Sequence, residues 1–100
     1  MPQIYEVTAV VADSRRAEFE NYMSDEHVSD VLATGCFAAA FFANDDKSYV
    51  FGYHVNAPED MQRYLDQHAA KLRDDVVQRF GDSVQTSRRM LNIIKLFPGE

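Results

Sequence analysis

Apolar and polar positions alternate from Gln3 to Ala12, "QIYEVTAVVA", with Tyr5, Val7, Ala9 and Val11 on one side and Ile4, Glu6, Thr8 and Val10 on the other. A period of two with many β-branched residues predicts a first strand with two unlike faces. Asp13 or Ser14 is placed to cap a following helix by accepting a hydrogen bond from one of its free amides, and Phe19, Tyr22 and Met23 recur at helical spacing. Ser24 reads as a second cap, where the helix falters and restarts with Asp25 and Glu26 near the positive end of its dipole. Val28, Val31 and Leu32 make the apolar stripe of this short piece, and Gly35 stops it.

The pattern then changes. "CFAAAFFA", Cys36 to Ala43, contains no polar position, so the strand expected there has to be covered on both faces. "NDDKS" is turn chemistry, and Tyr49 to Val55 supplies the returning strand of a hairpin. Pro58 opens a second helix at a position where its missing amide costs nothing. Met61, Tyr64, Leu65, His68, Leu72, Val76 and Phe80 trace one face of that helix, and Gly81 ends it. A last strand follows from about Val84 to Leu96.

Strand, helix, strand, strand, helix, strand with right-handed crossovers gives an α+β, ferredoxin-like βαββαβ arrangement. Its four-stranded antiparallel sheet carries both helices on one face. A chain of 100 residues is read as one such domain, spanning residues 1–100. The strands are too apolar for the far face of the sheet to stand in water. A homodimer packed sheet to sheet through this open face is therefore expected.

Charge and composition narrow the function classes. The net charge is -6, with Lys and Arg scattered along the chain, so no basic stripe is available for nucleic acid or an anionic membrane. The single cysteine cannot form an internal disulfide, and the N-terminal residues lack the pattern of a signal peptide, which points to the cytoplasm. No apolar run approaches the roughly 20 residues needed to span a bilayer.

Two histidines attract attention. Phe19, Met23, His27 and Val31 share one helical row, and His68 stands in the stripe of the second helix after Tyr64 and Leu65. If the helices lie side by side, His27 and His68 converge in an apolar cleft, the usual setting of a small-molecule site. Glu26 or Asp30 would orient a histidine or raise its proton affinity, and Tyr22, Tyr53 or Tyr64 would orient a carbonyl or hydroxyl. The bland alternative is that each histidine is a boundary residue hydrogen-bonded to Glu26, Asp30 or Asp66.

His54, in phase with Gly52 and Val50, is a further candidate for a pocket wall, although the close approach of Phe37 or Phe41 is the favoured reason for Gly52. Cys36 has no basic neighbour and reads as a small hydrophobe. Arg88 and Arg89 point to opposite faces of the last strand, one of them toward a carboxylate such as Glu6. No nucleophile, phosphate loop or short metal motif accompanies the histidines, so neither a cofactor nor a metal is expected.

"EHVSDVLATGCF", together with "YLDQHAAKLRDDVVQRFGDSV" and a final apolar strand, resembles the bacterial family known as domain of unknown function 4286. The resemblance covers nearly the whole chain, and proline is frequent in that family where this chain has Ser29 and Ala70. More widely, the layout resembles the dimeric α+β barrel superfamily, which includes cofactor-independent monooxygenases, haem-degrading enzymes, lactone isomerases and ligand-sensing domains. What the resemblance implies is a cleft between helices and sheet that holds a ligand; one scaffold hosts many functions. Two readings follow. The first in weight is a small-molecule binding or assembly module with a small apolar ligand. The alternative is a cofactor-independent enzyme of monooxygenase or isomerase type, using His27 and His68 for proton transfer on an apolar or aromatic substrate.

Overall fold

The computed structural model describes residues 2–99. Four strands, β1 (Gln3–Val11), β2 (Ala39–Asn44), β3 (Tyr49–Val55) and β4 (Val84–Asn92), form one antiparallel sheet in the order β2-β3-β1-β4. Between β1 and β2 the chain makes α1 (Arg16–Tyr22), a π-helical turn (Met23–His27) and α2 (Val28–Ala33). Between β3 and β4 it makes α3 (Pro58–Gln67) and α4 (Ala69–Phe80). The order is that of the ferredoxin-like fold.

Register explains which side chains face the helices. Val7 pairs with Phe51 on one side and Arg88 on the other, and Phe42 pairs with Phe51, so these four form one row across the sheet. Tyr5 likewise stands between Tyr53 and Met90. Because side chains alternate, the odd residues of β1 and β3 and the even residues of β2 and β4 share this face. It is covered by Phe19, Tyr22, Met23, Val31, Met61, Tyr64, Leu72 and Phe80, which are buried. Phe19 is the hub: its ring lies 5.1 Å from Tyr49 and 5.5 Å from Phe80, centre to centre.

Several elements form as the residues imply. Pro58 occupies the first turn of α3, with Glu59 and Asp60 beside it. Gly35 and Gly81 take positive φ values of 76° and 56° at the ends of α2 and α4. The hairpin turn is held by Asp45, whose Oδ1 accepts from the amides of Lys47 and Ser48 at 2.7 Å each.

Four local expectations are corrected. Neither Asp13 nor Ser14 caps α1 through its side chain; Asp13–Arg15 is a 3-10 turn closed by the Arg15 amide donating to Ala12 O at 2.8 Å. Ser24 is no cap, since the backbone stays helical through Met23–His27 and only widens there. The second helix is not continuous but breaks at His68, where φ is -129°. The second strand starts at Ala39, with Cys36 and Phe37 already buried ahead of it.

The far face of the sheet carries Ile4, Thr8, Val50, Leu91 and Phe41, the last 47% exposed. A second strand covered on both sides is thus not achieved within one chain: Ala40 and Phe42 pack on the core and Phe41 does not. Beyond β4 the Ile93 amide donates to Pro2 O at 3.0 Å, after which Ile94, Leu96 and Phe97 are 90%, 79% and 74% exposed. Among the described residues no helix is long and apolar enough to cross a membrane.

Candidate functional site

Between the helices and the sheet lies a cavity of about 260 Å³. Tyr5, Val7, Phe51, Tyr53, Thr86 and Arg88 line its sheet side. Phe19, Met23, His27, Tyr64, Arg73 and Val76 line its helix side. The wall is mostly aromatic and aliphatic with a few polar groups, the usual make-up of a small-molecule pocket, and its size is just under the roughly 300 Å³ where such sites begin.

The π-helical turn brings His27 to this wall. The Val28 amide donates to Met23 O, five residues back, so the turn holds one residue more than an α-turn. Residues five apart then become neighbours, and the rings of Tyr22 and His27 lie 5.8 Å apart. Met23 and His27 both reach the cavity. The Nδ1 of His27 is buried and has no hydrogen-bond partner among the described residues. Burial holds its pKa below the ordinary 6.5, against the opposing pull of Asp30 and Asp75, so the ring is neutral at neutral pH. A neutral imidazole with a free nitrogen is able to accept a proton or a hydrogen bond.

The phenols are in the opposite condition. Burial, helped by the neighbouring Tyr5, pushes Tyr64 up to about 12, although Arg73 and Arg88 pull the other way. Burial also raises Tyr53, with Tyr64 and Tyr5 adding to it and Arg88 opposing. Both therefore stay protonated and act as hydrogen-bonding groups rather than bases.

Of the residues singled out in the sequence, His27, Tyr53 and Tyr64 line the cavity. His68 does not: it occupies the joint of α3 and α4, with its ring 6.4 Å from that of Tyr64. The expectation that His27 and His68 share one cleft is therefore corrected, because the helix break moves His68 off the stripe. Tyr22 is also outside, its ring between His27 and Phe80 and beneath the Arg79 guanidinium, 4.1 Å away. Glu26 pairs with Arg79 at 3.6 Å rather than with a histidine. Glu26 and Asp30 border a shallow surface groove.

His54 stands on the opposite face of the sheet, in phase with Val50 and Gly52. A Cβ at Gly52 would overlap the ring of Phe41, so this glycine makes room for a neighbouring side chain and not for a ligand. Asp66 accepts from Gln62 Nε2 at 2.9 Å, and Cys36 is buried as a small hydrophobe. Among the described residues no three His, Cys, Asp or Glu side chains gather as metal ligands.

Residues 2–94 match the family described as Domain of unknown function (DUF4286). The chain belongs to DUF4286. A comparison with curated protein sequences finds no match. Among solved structures, SnoaB, a cofactor-independent oxygenase from Streptomyces nogalater, aligns with a TM-score of 0.74 at 14% identity, covering 99% of this chain and 100% of that one. A Deinococcus radiodurans protein provisionally assigned as an antibiotic biosynthesis monooxygenase aligns at 0.70 and 11% identity, covering 98% of each chain. A protein of unknown function from Nitrosomonas europaea aligns at 0.64 and 16% identity, covering 99% and 98%. At these identities the shared property is the fold alone.

Two guanidinium groups also reach the cavity of this DUF4286 chain, those of Arg73 and Arg88. Arg73 follows Leu72 and precedes Val76 on the covered side of α4, and its Nη2 donates to Tyr5 Oη at 3.0 Å. Arg88 lines the cavity from β4, whereas Arg89 turns outward to Glu6 at 2.8 Å. The signal for Arg73 was its spacing from Ala69, Val76 and Phe80, which is helical.

Proposed function

We propose that this protein is a small-molecule binding module that works as a homodimer. The observation that carries the reading is the cavity between sheet and helices, apolar in lining yet provided with the His27 imidazole and the Tyr53 and Tyr64 phenols. A ligand of one or two rings suits its volume. The dimer reading is supported by the apolar far face around Phe41 and by the exposed Ile94, Leu96 and Phe97. A cytoplasmic location belongs to the same reading and rests on the lone buried cysteine.

Cavity filling tests the ligand site. Val76→Phe narrows the cavity from the helix side, and it is expected to weaken binding of 2-naphthol by about tenfold while the far-ultraviolet spectrum is kept. Equal affinity in a folded variant would remove the cavity as the site. Sedimentation velocity tests the dimer, and a monomer at micromolar concentration would refute it.

The enzyme alternative keeps one supporting observation, the buried and unpartnered Nδ1 of His27. In that version a neutral His27 alone takes the proton from the substrate, and His68 has no part.

A further inference from the structure

The chain has 16 acidic against 10 basic side chains, yet the cavity inverts this balance: Arg73 and Arg88 line it and, among the described residues, no Asp or Glu does. Neither guanidinium belongs to a salt bridge among the described residues. Arg73 is partly buried; its Nη2 is spent on Tyr5, and its Nε is buried with no acceptor among the described residues. Arg88 is exposed on the edge strand and donates from Nη1 to Thr86 Oγ1 at 3.0 Å. Both line the cavity together with Tyr64 and Tyr5.

A buried donor of a cation beside an apolar wall, as Arg73 Nε is, is costly unless an acceptor meets it, and the exposed Arg88 adds a second positive charge at the same cavity. A guanidinium offers a planar fork of donors that fits a carboxylate. We propose that the cavity takes a small organic acid, with its carboxylate between Arg73 and Arg88 and its apolar body against Phe19, Phe51 and Val76. The inference rests on the reading of the cavity as a ligand site and adds the charge of the ligand. Inorganic phosphate would leave the aromatic wall unused, and a neutral hydrocarbon would leave both guanidiniums unpaired.

The test compares 2-naphthoate with its neutral isostere 2-naphthamide at neutral pH, read by the chemical shift of the Met23 methyl, which lines the cavity. Naphthoate is expected to shift that methyl and to bind at least about tenfold more tightly than the amide, as charge-assisted hydrogen bonds imply. Arg88→Gln and Arg73→Gln should each bring this preference toward unity. Because Arg73 also holds Tyr5, the exposed Arg88 supplies the variant that keeps the fold. If the amide binds as well as the acid, the charge assignment fails while the ligand site stands. If neither shifts the Met23 methyl, both fail.

Discussion

His27 shows what a single side chain contributes through its surroundings. Its row with Phe19 and Met23 was readable as helical spacing, and so was its apolar company. That it would be left without a hydrogen-bonded carboxylate was not readable, because Glu26 turns to Arg79 through a contact with distant α4. Burial lowers its pKa below 6.5, with Asp30 and Asp75 opposing. Well above 6.5 the ring is neutral in both folded and unfolded chains and adds no pH dependence. Below it the unfolded chain takes up the proton first, so stability falls as pH drops from 6.5 toward the folded value. Urea unfolding between neutral and mildly acidic pH should show this loss, and His27→Gln should flatten it. A slope unchanged in the variant would mean that the ring is not held neutral.

At the scale of elements, legibility follows the range of the forces. β1, β3 and the start of α3 are local patterns, an alternation or a proline, and they form where the residues place them. The π-helical turn depends on which carbonyl the Val28 amide chooses, and side-chain periodicity does not encode that choice. The break at His68 carries neither proline nor glycine; only the family resemblance, with its proline at the position of Ala70, pointed there. Arg73 escaped notice because a long cation in an apolar stripe usually carries its charge out to water.

Gly81 joins α4 to the turn before β4 with φ 56° and ψ -135°, a region that side chains avoid, and it also borders the cavity. Gly81→Ala is expected to cost about 1–3 kcal/mol in urea unfolding. Open space around its Cβ position means that backbone conformation alone accounts for the loss.

For the whole molecule, the sheet order and the side that carries the helices were legible, since hydrophobic order and right-handed crossovers leave few alternatives. What lies on the other side was legible only as a need for cover. Gly52 and Phe41 provide the means to test it. A larger residue at Gly52 displaces the Phe41 ring, which one chain alone leaves half exposed. Gly52→Val should therefore weaken self-association by about tenfold or more, measured by sedimentation equilibrium, with a smaller effect on the fold of each protomer. Loss of the fold at the same concentration as loss of the dimer would instead make the two inseparable.

The central position of β1 has a consequence for genetics. Its odd residues, Tyr5, Val7 and Ala9, face the cavity, and its even residues, Ile4, Glu6 and Thr8, face away from the helices. Under the proposed function, adjacent codons of one strand answer to two different selections. In a saturation scan of β1, defects should sort by parity: ligand phenotypes at odd positions, assembly phenotypes at even ones.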